Sequence, residues 1–98
     1  MNEKVTALLE KYQEELAIML IPADRVEDQV GFPGVKGLKD DADQLGHVQW
    51  MIFTMLEEGK DWDEKKVNRW LGFVQGVLWT TKLRGILQLR DESRDLYE

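Results

Sequence analysis

The chain contains no cysteine. That excludes disulfides, thiolate metal sites and cysteine nucleophiles, and it fits a reducing cytoplasm. Histidine occurs once, at His47, and serine once, at Ser93. A lone histidine seldom builds a metal site without several helpers. Ser93 sits in a charged tail with no base nearby in sequence, so no nucleophile–base signature is present. No apolar run approaches the roughly 20 residues of a membrane span, and the opening MNEKVTALLEK has no apolar signal core. The expectation is a soluble, unexported, cytoplasmic protein that is not an enzyme and carries no cofactor.

Positive charge is also scarce. The net charge is −6, unevenly spread: residues 1 to 58 hold 5 Lys/Arg against 12 Asp/Glu, and residues 59 to 98 hold 8 against 7. A general nucleic-acid binder shows a concentrated basic face and a basic pI, and this chain has a pI near 4.8. Non-specific nucleic-acid binding is therefore not expected. A small anion is still bindable where a few arginines and backbone N–H groups converge.

What the chain does have is helical periodicity. Val5, Leu8, Leu9, Tyr12, Leu16, Met19 and Leu20 recur at helical spacing from about Glu3 to Leu20, with Pro22 as the stop. Leu45, Val48, Met51, Ile52, Met55 and Leu56 mark a second helix, starting after Asp40 or Asp41 and running to Glu58. Asp61 with Glu64 resembles a capping box for a third helix, which runs to about Arg84, where Gly85 ends it. ILQLRDESRDLYE reads as a short last helix. No strand signal competes. The predicted fold is all-α: an amphipathic N-terminal helix, a Gly-rich loop, a long antiparallel hairpin and a short C-terminal helix. One domain spans 1–98, with the hairpin core at about 41–85. A core this small makes a homodimer or higher homo-oligomer the natural expectation.

The loop holds GFPGVKG, residues 31 to 37. Its spacing matches neither the P-loop nor the dinucleotide fingerprint, and no strand precedes it. A turn is the plainer reading; Lys36 with the amides near Gly34 and Gly37 is a weak anion-site candidate. Asp40, Asp41, Asp43 and His47 fall within two helical turns, a pattern that helix-start acids explain without a metal.

With the hairpin turn near Lys60, facing residues have numbers summing to about 120. Trp50 then meets Trp70, and His47 lies near Phe73. Gly72, Gly76 and Trp79 share a face of the third helix, a strip that another helix or a ligand can approach closely. Four tryptophans, Trp50, Trp62, Trp70 and Trp79, are many for 98 residues. Core building is the plain explanation. The alternative is a stacking surface, with Trp50, Trp70, Arg69 and His47 around a planar base, Arg69 on a phosphate and Gln75 on a base edge. Trp62 reads as a staple to the turn.

HVQWM at 47 to 51, followed by NRWLGFVQGVLW at 68 to 79 and the trailing LRDESR, resembles small helical-hairpin proteins encoded by bacteriophages and prophages. The likeness spans roughly residues 45 to 95. It implies a phage context, in which small acidic proteins without catalytic motifs often act against host defences. The reading drawn here is a non-enzymatic counter-defence protein that binds and sequesters a small nucleotide-like immune signal. Its expected ligand residues are Trp50, Arg69, Trp70, Gln75 and Trp79, with His47, Tyr12 and Lys36 behind them. The alternatives are a protein-interaction inhibitor that presents Glu10, Glu14, Glu15, Glu27, Asp28, Asp40, Asp41 and Asp43, or a purely structural domain.

Overall fold

The computed structural model describes residues 1–26 and 41–97. Lys36 and the GFPGVKG stretch lie outside the described residues, as do Glu27, Asp28 and Asp40. The described chain is entirely helical: α1 (Glu3–Ile18), α2 (Asp41–Glu58), a 3₁₀ turn (Gly59–Asp61), α3 (Glu64–Thr80) and α4 (Ile86–Ser93). The all-α fold with its hairpin is as the periodicity predicts.

Asn2 starts α1: its side chain accepts a hydrogen bond from the Val5 N–H at 2.8 Å, satisfying one of the unpaired donors of the first turn. The α1 stripe of Val5, Leu8, Leu9, Tyr12 and Leu16 is buried. It meets Leu45, Val48, Met51, Ile52 and Met55 of α2 and Val67, Leu71, Val74 and Leu78 of α3 in one core. Burying such side chains contributes about 1.5–3 kcal/mol each. Gln49 lies inside the α1–α2 contact, where its amide donates to the Gln13 carbonyl at 3.0 Å. α4 runs back along α1 with opposite sense: Glu92 faces Tyr12, Asp95 faces Lys4 and Leu96 faces Asn2.

The helix ends depart from the sequence reading, and the reason is local. α1 stops at Ile18, well before Pro22. Leu20 takes a left-handed φ of 62° and donates to the Ala17 carbonyl, while the Ile21 N–H donates to Leu16. This is a Schellman motif without its usual glycine. It turns Met19 and Leu20 out of the buried stripe assigned to them; Leu20 is 87% exposed. α3 repeats the device: Lys82 has φ 67°, its N–H donates to Trp79 and the Leu83 N–H donates to Leu78. The helix therefore ends at Thr80 rather than Arg84, and Gly85, with an ordinary φ of −81°, begins α4 instead. At the other end of α3 the cap is Asp63, which accepts from the Lys66 N–H at 2.8 Å. Asp61 falls in the 3₁₀ turn.

After α1 the chain crosses the N-terminal half of α2. The Asp24 N–H donates to the Gly46 carbonyl at 3.0 Å. A Cβ on Gly46 would stand 3.4 Å from the Pro22 carbonyl oxygen and 3.5 Å from the Asp24 Cβ, so anything larger than alanine would displace the crossing. This crossing delivers Arg25 and Val26 to one flank of the hairpin.

Candidate functional site

Aromatic rings line that flank. His47 and Trp50, about one turn apart on α2, have ring centroids 5.4 Å apart. Trp50 reaches across to Trp70 of α3 at 6.0 Å, and His47 reaches Phe73 at 6.2 Å. Both pairings are the ones the hairpin register predicts. Trp62, at the end of the 3₁₀ turn, continues the row at 4.7 Å from Trp70. The rings are mutually tilted by 40° to 68°, so they form a wall rather than a parallel clamp. His47, Trp50, Trp62 and Trp70 are half-buried, and Phe73 is exposed.

Cations rim this wall. The Arg25 guanidinium lies over the Trp50 ring, 4.9 Å from its centroid. The Lys66 ammonium lies over Trp62 at 4.0 Å. Arg69 is exposed, with no hydrogen bond or ion pair among the described residues. It does not join Trp70, because consecutive helix residues point about 100° apart. It stands one turn from Phe73, its i+4 neighbour, on the outer edge of the same flank.

The surroundings of His47 favour its neutral form. Burial, and after it the Arg25 charge, hold it below its ordinary 6.5. Its Nδ1 accepts from the Val26 N–H at 3.2 Å, which leaves the proton on Nε2 as a donor.

The other expected residues are placed elsewhere. Gln75 and Tyr12 join an internal polar cluster under α4. The Gln75 amide donates to the Tyr12 hydroxyl at 3.3 Å and to Ser93 Oγ at 2.9 Å, and Tyr12 donates to Glu92 at 2.8 Å. Burial pushes the Tyr12 hydroxyl well above its ordinary 10.0. Arg84, 7% exposed, closes the cluster by pairing with Glu92 at 3.2 Å and with Glu15. Lys11 adds a further pair to Glu92 at 3.2 Å. Glu15 thus serves this cluster as well as any acidic outer face. Trp79 is 51% exposed on a different face of α3 from the aromatic wall, beside Gly72 and Gly76. Among the described residues no atom lies within 4 Å of a Cβ built on either glycine, so none of them packs against that strip.

Sequence reasoning missed Arg25 and the Arg84–Glu92–Glu15 cluster. Arg25 lies in a segment without periodicity, and no spacing rule brings it to Trp50. Arg84 was assigned to the last turn of α3, where a cation at the helix end needs no further partner. Among the described residues no three of His, Asp or Glu converge as metal ligands, and no helix is long and apolar enough to cross a membrane. No protein-family model matches the chain, and no curated protein or solved structure matches it.

Proposed function

We propose that this chain is a non-enzymatic binding protein that sequesters a small nucleotide-like ligand on the aromatic flank of the α2–α3 hairpin. The observation that carries the reading is the cation-rimmed wall. In a chain of net charge −6, Arg25 and Lys66 lie over rings of one half-buried row, and Arg69 stands exposed one helical turn from Phe73. Indole faces take planar bases without demanding one sequence, at about 1–3 kcal/mol per base. Guanidiniums match phosphate oxygens with two parallel donors. A base seated on Trp50 displaces the Arg25 guanidinium from the ring and leaves it beside the ligand's phosphate. His47, neutral, offers its Nε2–H to an acceptor on the base edge. The phage counter-defence setting rests on the HVQWM and NRWLGFVQGVLW resemblance alone.

The test is a fluorescence titration of the tryptophans with cyclic and linear nucleotides, on the wild type and on Arg25→Ala and Arg69→Ala. Each variant is expected to lose about tenfold in affinity, or 1.4 kcal/mol, with its melting temperature unchanged. Unchanged affinity in both variants would overturn the assignment. We further propose self-association, supported by exposed Trp79, Ile86 and Leu87 and by a Gly72–Gly76 strip that none of the described residues covers.

A further inference from the structure

A concavity lies at the far end of the aromatic row, built from Met1, Asn2, Trp62, Glu64, Val67 and Tyr97, with a volume of about 160 Å³. This is well below the roughly 300–1,000 Å³ of sites for drug-sized ligands. A nucleotide does not fit; a molecule of a few heavy atoms does. Two of its lining residues, Trp62 and Tyr97, are aromatic. The remaining charged side chain is Glu64, which makes no hydrogen bond or ion pair among the described residues. Its carboxylate and Tyr97 are near enough that Glu64, after burial, adds to the upward push on the Tyr97 hydroxyl. The Trp62 ring already accepts one ammonium, from Lys66 at 4.0 Å, and Lys66 does not line the cavity. Two aromatic residues and a carboxylate with no ion partner among the described residues, around a small space, suit a cation with an apolar shell.

We propose that this cavity binds a small organic cation of the alkylammonium class, with Trp62 and Tyr97 facing its carbon shell and Glu64 neutralising its charge. The site shares Trp62 with the aromatic wall, but its occupant and its test do not depend on the nucleotide-binding reading. The experiment is an NMR titration of the full chain with choline and with its neutral isostere 3,3-dimethyl-1-butanol, at constant ionic strength. The Trp62 indole and Tyr97 ring resonances are expected to shift saturably with choline, and at least about tenfold more weakly with the alcohol. Glu64→Gln keeps a hydrogen-bonding side chain in the first turn of α3, and far-UV circular dichroism verifies its fold. It is expected to bring choline down to the level of the alcohol. No saturable shift with choline, equal binding of the two probes, or undiminished binding by Glu64→Gln would each overturn the proposal.

Discussion

Arg84 shows how much a single side chain holds. Its guanidinium is buried with Glu92, while Glu15 and Lys11 complete the charge pattern and Tyr12 caps the same carboxylate. Removing one partner of such a buried pair strands the other, at a typical cost of about 3–5 kcal/mol, whereas replacing both with apolar groups is often close to neutral. Arg84→Met is therefore expected to lose about 3 kcal/mol in urea unfolding. Arg84→Met combined with Glu92→Leu should lose less than Arg84→Met alone. A double variant as unstable as the sum of the two single variants would show that the pair acts only as separate contacts. His47 is the second residue with a clear expectation. Its folded pKa lies below the ordinary 6.5, so the neutral form is favoured in the folded state. The stability it contributes is present above 6.5 and is lost as pH falls through the lower, folded value. Protonation also removes the Nδ1 acceptor of the Val26 N–H and sets a second positive charge near Arg25. An NMR titration should place the His47 midpoint below 6.5, and Arg25→Ala should raise it. A midpoint unmoved by that substitution would count against the Arg25–His47 proximity.

At the scale of elements, periodicity made the helices legible and the ends were what it missed. The stripes Val5 to Leu16 and Leu45 to Met55 read directly, because burial repeats every three to four residues. The terminations at Ile18 and Thr80 did not, because left-handed caps at Leu20 and Lys82 use residues that carry no turn signal. Gly72 and Gly76 illustrate the converse. Their spacing suggests close packing, and the described residues leave both open. Alanine should then be accepted at each and stabilise α3 by about 0.5–1 kcal/mol per site, the ordinary helix preference over glycine. Thermal unfolding of Gly72→Ala/Gly76→Ala, with its mass in solution, tests this and the self-association proposal together. A higher melting temperature at unchanged mass places any contact between copies elsewhere. A fall in mass places it on the glycine strip.

Across the whole molecule, the hairpin register carried most of what was readable about the site. One antiparallel turn near Lys60 brings Trp50 to Trp70 and His47 to Phe73. The same register could not show which rim cation reaches the rings, since Arg25 arrives by a crossing that is held to the Gly46 carbonyl by the Asp24 N–H. Nor could it show that Gln75 and Tyr12 are committed to α4, a helix whose docking is largely polar: none of its own residues is buried. The result divides the molecule into a polar-latched side under α4 and an aromatic, cation-rimmed side on the hairpin. Nucleotide binding is proposed for the second side. The four tryptophan indole N–H resonances, once assigned, report on it independently during titration with cyclic mono- and dinucleotides. Saturable shifts are expected at Trp50 and Trp70, with Trp79 unmoved. Saturable shifts confined to Trp79, or no saturable shift with any nucleotide in the series, would contradict it.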